Sequence, residues 1–376
     1  MSDAFLCAWQ ELSRQLKGEV FKDEPMARHT SYRLGGPAAL YVECATLRDL
    51  SATFAVLGAY QLPWAILGKG SNILVADQGW RGAVLTLTEE FKRLRLPDEQ
   101  TVGGRGEGAR DATGWIGDFG NGGREKGRRH VGNHRDGARG IVPPPSSSQP
   151  FGGRYTHGQQ STADTQVPGG LLVAGAGVLL STLVQAAFKG GIRGFEFAVG
   201  IPGTLGGALA MNAGTAKEWI GSVVRSLTVY RSGSGLARIE GDELPWNYRQ
   251  SGLPAADIIL EAELWATSGH TGQIRAKMEA ALNRRKRSQP LTKPSAGSIF
   301  KNPPDQSAGA LIDALGLKGF TIGGAEVSPL HANFIVTNGS ATAADVLAII
   351  LMIKQRVKEA YGIELQNEIR FLGFEG

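Results

Sequence analysis

Trp64-Ala65-Ile66-Leu67-Gly68-Lys69-Gly70-Ser71-Asn72-Ile73-Leu74-Val75-Ala76 is the most telling segment of the sequence. Two short apolar runs flank a turn that carries two glycines, the pattern of a strand, a tight turn and a second buried strand. Backbone N–H groups at Gly68 and Gly70 have no Cβ in front of them, so the turn can face an anion such as a diphosphate. A bare tight turn fits the same residues, and the stretch alone leaves both readings open.

The flanks extend the alternation of strand and helix. Residues 5–17 have the spacing of a short amphipathic helix, and residues 39–44 alternate as a strand. Thr46 to Ala59 reads as a helix opened by a capping box, Thr46 with Asp49 three residues on. This order of elements predicts an α+β domain. Further on, strands are expected at 91–96, 171–174, Val223 to Arg231 and Ile258 to Ala266, with helices at 178–189 and Ile274 to Arg287. The last third predicts a helix at 308–315 and a strand from His331 to Thr337. A helix over 342–360 follows, with Thr342 and Asp345 as its capping box, and a final strand runs from Ile369 to Leu372. Val346, Ile349, Ile350, Ile353 and Val357 fall on one face of that last helix.

Composition narrows the function classes. With 376 residues, 42% hydrophobic and 20% charged, the chain can bury a sizeable core. Cys7 and Cys44 are the only cysteines, which excludes a disulfide scaffold and a thiolate zinc site and suits a reducing compartment. The N-terminus has no basic segment followed by an apolar one, so no signal peptide is expected. Residues between Asp164 and Lys189 carry no charge, but glycine and hydroxyl residues interrupt them, so they read as strand, turn and buried helix rather than a membrane span. The expected location is cytoplasmic.

One segment breaks the pattern. Residues 101–170 hold 18 of the 53 glycines, nine basic and six acidic residues, and Pro143-Pro144-Pro145-Ser146-Ser147-Ser148. Such a segment buries too little apolar surface to offset its ordering entropy, so about 97–168 is expected to be a disordered insertion. Binding of nucleic acid by its basic residues is a second reading, weakened by the nearly balanced charge.

Common signatures are missing. No G-x-G-x-x-G, Walker A, H-E-x-x-H or C-x-x-C occurs. A second glycine cluster does occur, Gly200-Ile201-Pro202-Gly203-Thr204-Leu205-Gly206-Gly207, leading into Ala208 to Gly214. Arg284-Arg285-Lys286-Arg287 precedes a third feature, the loop Pro294-Ser295-Ala296-Gly297-Ser298-Ile299-Phe300-Lys301-Asn302. A basic cluster beside such a loop can hold a phosphorylated substrate. It reads equally as a solvated helix end and a turn.

Taken in order, these segments resemble the UDP-N-acetylenolpyruvoylglucosamine reductase family. The resemblance runs from Thr30 to Phe374 apart from the insertion. It rests on Leu34-Gly35-Gly36-Pro37-Ala38, Gly68 to Asp77, Gly194-Phe195-Glu196-Phe197 through Gly214, Asn247-Tyr248-Arg249, Pro294 to Pro303, Gly316-Leu317-Lys318-Gly319, His331-Ala332 and Leu365 to Gly373. It implies a two-subdomain FAD-binding fold of the vanillyl-alcohol-oxidase (PCMH) type, at 15–90 and 91–284, and a C-terminal α/β substrate-binding domain at 285–376. It also implies a monomer that meets a UDP-sugar and no membrane.

The same resemblance assigns roles. Gly68, Gly70, Ser71, Asn72, Gly203, Thr204, Gly206 and Gly207 would border the FAD diphosphate, with Ala213 and Gly214 along the flavin. Arg249, Ser298 and Glu368 would be catalytic, and Tyr248, Arg287, Lys301 and Asn302 would bind substrate. The implied reaction uses NADPH to reduce FAD, then hydride transfer from flavin N5 to the enolpyruvyl β-carbon, with Ser298 protonating the α-carbon. Lys69, His29 and Gln366-Asn367 depart from the usual family residues without removing a reacting group. The short link from Arg249 to Ile258 implies the family variant without an extra tyrosine-bearing loop. Another PCMH-type FAD oxidoreductase is the alternative, and Ser298 with Glu368 argues against it.

Overall fold

The computed structural model describes residues 3–97, 170–215 and 217–374. The insertion expected at 97–168 lies, apart from Pro97, outside the described residues.

The opening stretch forms what its pattern predicts, Trp64–Ile66 and Ile73–Val75 around the glycine turn, but the two strands enter different sheets. Trp64–Ile66 is the edge of a four-stranded sheet, pairing in parallel with Trp80–Leu87, which pairs in parallel with Pro37–Cys44. Val20–Pro25 closes the other edge antiparallel to Pro37–Cys44. Leu47–Ala59 is capped as expected: Thr46 accepts from the Asp49 amide and Asp49 from that of Thr46.

A second sheet of five strands is wholly antiparallel, in the order Gly235–Glu240, Val224–Arg231, Asp257–Trp265, Leu171–Gly175, Leu94–Arg95. The strand expected at 91–96 shrinks to Leu94–Arg95, because Glu89–Lys92 is a turn of 3-10 helix that buries Phe91. Helices Leu180–Lys189 and Leu205–Ala210 pack beside this sheet. One continuous apolar core runs from Phe5 to Ala266, through both sheets.

The C-terminal third has its own core. Helix Ala343–Tyr361 buries Ala343, Val346, Ile349, Ile350, Ile353 and Val357, and ends at Gly362, whose φ of 68° needs the left-handed region. Against it lie helix Ala308–Ala314 and the sheet Thr321–Ile322, Ala325–Val327, Ile335–Thr337. His331 to Phe334, expected as strand, instead forms a turn closed by the Phe334 amide on the His331 carbonyl at 3.0 Å. Tyr32 and Leu74 from the first third are buried in this core, and Arg370–Leu372 pairs in parallel with Ile73–Val75. The chain end therefore returns to the strand that follows the first glycine turn.

Candidate active site

Two glycine turns from distant parts of the chain meet. Ser71 Oγ donates to the Pro202 carbonyl at 3.3 Å. A Cβ at Gly68 would lie 2.5 Å from Thr204 Oγ1, and one at Gly203 would lie 3.2 Å from Ser71 Oγ. The turns thus approach more closely than residues with side chains permit. Gly70, with φ 62°, accepts from the Ser31 amide, and a Cβ on it would strike the His29 carbonyl at 2.0 Å. Among the described residues nothing accepts from the amides of Lys69, Gly70 and Ser71. Free N–H groups on such a turn fit a dinucleotide diphosphate.

Not every predicted glycine has that character. The Gly206 amide is committed to the Ala176 carbonyl at 2.8 Å, and a Cβ there would come 2.8 Å from Ala176 Cβ, so Gly206 serves close packing. The Gly207 amide donates to Thr204 Oγ1 at 3.4 Å, which makes Thr204 the N-cap of Leu205–Ala210. Asn72 uses its side chain structurally as well: Nδ2 donates to the Glu368 carbonyl at 3.2 Å.

After that helix, Ala213 accepts from the Ile220 amide, and the Gly214 carbonyl accepts from Arg249 Nη1 at 3.4 Å. Asn212 is buried with φ 42°; it donates from Nδ2 to the Asn247 carbonyl and accepts the Gly221 amide on Oδ1. It thereby anchors the Asn247-Tyr248-Arg249 turn. Asn212, Thr215, Trp219, Tyr248 and Arg249 line one open cleft.

Arg249 itself has φ 58°, a conformation costing about 1–2 kcal/mol for a side-chain-bearing residue. The turn aims its guanidinium at Glu368, with Nε donating to Oε1 at 2.6 Å. Both side chains are largely buried, at 21% and 12% exposure, so the pair is held in low dielectric. Burial is the largest influence on Glu368 and raises its pKa above the ordinary 4.5, against the pull of Arg249 and Lys301.

Ser298 follows Gly297 (φ 77°) in the loop next to Glu368. Ile299 accepts the Glu368 amide at 2.7 Å, and the Lys301 amide donates to the Gln366 carbonyl at 2.9 Å. The three residues named as catalytic from the motifs are therefore tied to one place: Arg249 by its side chain, Ser298 through the backbone of its neighbour. Tyr248 Oη accepts the Asn302 amide at 3.3 Å, and its ring lies 5.0 Å below the Arg249 guanidinium. Arg287 is exposed at the end of helix Thr271–Ser288, and among the described residues no contact ties it to the site. Arg285, two residues earlier, is half-buried: Nη2 donates to the Phe197 carbonyl, and its pKa is lowered by burial and by the charges of Arg284 and Arg249. Sequence spacing gave no signal that separates Arg285 from its basic neighbours.

Comparison with known proteins decides the family. The profile of the C-terminal domain of UDP-N-acetylenolpyruvoylglucosamine reductase matches residues 289–372, and an FAD binding domain profile matches 161–237. The reductase of Heliobacterium modesticaldum is 35% identical over 97% of this chain and 95% of its own. The chain belongs to the UDP-N-acetylenolpyruvoylglucosamine reductase family. Its reductase relative in Moorella thermoacetica is also 35% identical, over 96% of each chain. The crystal structure of the Thermus caldophilus reductase matches with a TM-score of 0.66 at 28% identity, covering 95% of this chain and 99% of that one. The fold of this reductase-family chain is thus the FAD-binding α+β fold with an added C-terminal domain, as its sequence implied.

Proposed function

We propose that the chain reduces UDP-N-acetylglucosamine enolpyruvate to UDP-N-acetylmuramate, a step of peptidoglycan synthesis, with FAD and NADPH as cofactors. The observation that carries the reading is the Arg249–Glu368 pair, placed between the Gly214 carbonyl and the Ser298 loop.

Gly68, Gly70, Ser71, Gly203 and Thr204 would hold the diphosphate of FAD, with Ala213 and Gly214 beside its flavin. FAD supplies the hydride relay from NADPH to the enolpyruvyl β-carbon. Arg249 and Glu368 face the substrate carboxylate, where negative charge grows as the hydride arrives. A fixed guanidinium and a carboxyl with raised proton affinity stabilise that charge in low dielectric, the arrangement that gives electrostatic catalysis its size. Ser298 gives its proton to the α-carbon, a far stronger base than the alkoxide it leaves. Tyr248, Lys301 and Asn302 bind the UDP-sugar, with Arg285 as a further cation within electrostatic reach of Arg249. No helix among the described residues is long and apolar enough to cross a membrane, which fits cytoplasmic work on a soluble sugar nucleotide.

The test is spectroscopic. Purified protein should carry a visible flavin absorption that NADPH bleaches and that the UDP-enolpyruvyl sugar restores without oxygen. A flavin that NADPH bleaches but the sugar does not restore would refute the substrate.

A further inference from the structure

We propose that Asn333 is a positioning residue for this reaction, clamping the backbone of Ile299 and Phe300 so that Ser298 and Glu368 keep their mutual register. The inference rests on the roles given above to Ser298 and Glu368.

The geometry is that of a ladder rung made by a side chain. Asn333 Oδ1 accepts the Phe300 amide at 2.9 Å, and Nδ2 donates to the Phe300 carbonyl at 2.8 Å. The Asn333 carbonyl accepts the Ile299 amide at 2.9 Å. On the opposite edge, the Ile299 carbonyl accepts the Glu368 amide, Lys301 donates to Gln366, and Phe300 faces Asn367 across an isolated bridge. Residues 299–301 are therefore gripped from both sides, by Asn333 and by the segment that ends in Glu368. Ser298 enters this grip directly from Gly297.

Asn333 is 4% exposed, so water cannot replace a lost amide. Its own turn is fixed by His331, whose Nδ1 accepts the Asn333 amide at 3.2 Å while its ring packs 4.8 Å from that of Phe334. The chain turns at His331 to Phe334 instead of continuing as a strand because the backbone amides of Asn333 and Phe334 are spent within the turn, on His331 Nδ1 and the His331 carbonyl. The amide touches no reacting atom, and its effect passes through Ile299 and Phe300.

Asn333→Asp discriminates a positioning role from a merely structural one. The ionised carboxylate keeps the acceptor for the Phe300 amide but loses the donor to the Phe300 carbonyl. Protonated, the carboxyl regains both. The groups that titrate or carry charge nearby are His331 on the same turn with Lys318 beside it, and Lys301 and Glu368 on the gripped segments. All are present in the parent protein, so the ratio of variant to parent rate isolates the new carboxyl.

In flavin-bound protein, Asn333→Asp should reduce with NADPH at the parent rate. Its reoxidation by the UDP-enolpyruvyl sugar should fall by about a hundredfold at neutral pH, the scale of a misplaced reacting group, and recover as the pH is lowered. Asn333→Ala should lose the same step at every pH. Amide hydrogen exchange at Phe300 and Glu368 should quicken in both variants. Equal loss in both half-reactions, loss of flavin from both variants, or sugar-dependent reoxidation at the parent rate would each overturn the proposal. Failure of the parent protein to be reoxidised by the sugar would instead sink the reading of the substrate.

Discussion

Asn72 Nδ2 donates to the backbone carbonyl of Glu368 at 3.2 Å, across 296 positions of sequence. The Arg370 amide in turn donates to the Asn72 carbonyl at 3.0 Å, so the turn after the first glycine pair holds the chain on both sides of Ile369. The first glycine turn and the glutamate are therefore one mechanical unit. Asn72→Ala should cost about 1 kcal/mol in unfolding free energy, the usual worth of one hydrogen bond. It should also slow sugar-dependent flavin reoxidation by about tenfold, through displacement of Glu368. Denaturant titration and stopped-flow absorbance measure the two effects, and an unchanged reoxidation rate would break the link.

Gly203 has φ 128°, and a Cβ there would come within 3.2 Å of Ser71 Oγ. Gly203→Ala should strain the backbone by about 1–3 kcal/mol and push the two turns apart, lowering flavin per protein in the absorption spectrum. Gly58→Ala is the control. Gly58 lies in helix Leu47–Ala59 with nothing within 4 Å of its Cβ position, so the substitution should stabilise by about 0.5–1 kcal/mol and leave flavin content alone.

Local signals made some parts of this fold readable in sequence. The helices after Thr46 and Thr342 were predictable because each capping box is complete within four residues and is followed by an apolar face. Val20–Pro25 was not, since an edge strand carrying Lys22, Asp23 and Glu24 shows no alternation and its register comes from Pro37–Cys44. Trp80–Leu87 hid because a strand flanked by parallel neighbours is buried on both faces, and Gly82, roofed by the Trp80 ring, interrupts its run. At the site, the two glycine turns stood out in the sequence, but only the folded chain shows that they face each other. Arg249, Ser298 and Glu368 came from family motifs, because an ion pair 119 residues apart leaves no trace in spacing. Asn212 and Asn333 were missed for the same reason: a buried amide that binds backbone looks like any loop asparagine.

Asp77 joins the two cores. Its carboxylate accepts the Ala343 amide at 2.8 Å and the Ala344 amide at 2.9 Å, at the N-terminus of helix Ala343–Tyr361. This helix end carries partial positive charge, and Thr342 with Asp345 caps it from within. Asp77→Ala should cost about 1–2 kcal/mol, as loss of a cap does, and should loosen the C-terminal core before the FAD-binding part. Limited proteolysis should then release fragments from the C-terminal third, while the flavin spectrum persists. Simultaneous loss of both would show that the two cores unfold as one.

Glu368 gives stability a pH dependence whose sign follows from its raised pKa. The folded protein holds this proton more tightly than the unfolded chain does. Its contribution is therefore complete below the ordinary 4.5 and is lost as the pH rises through the folded value. The difference in unfolding free energy, parent minus Glu368→Gln, should accordingly decline from acid toward neutral pH and then level off. A difference that grows with pH would mean that Arg249 outweighs burial and that Glu368 is a permanently ionised partner.

Ser298 is half-buried, and it follows Gly297 in a loop whose next residue is gripped by Glu368 and Asn333. Removing its oxygen takes away the proposed proton source and leaves the backbone grip intact, because the bonds made by Ile299, Phe300 and Lys301 do not involve the Ser298 side chain. Ser298→Ala should therefore bind flavin and accept hydride from NADPH at the parent rate. Sugar-dependent reoxidation should fall by about 10²–10⁴-fold, the range for loss of a positioned proton donor. In deuterated water the parent protein should place deuterium on the α-carbon of the product. If the variant turns over the sugar at the parent rate, the proton comes from another group, and water in the cleft beside Tyr248 and Arg249 becomes the donor to test.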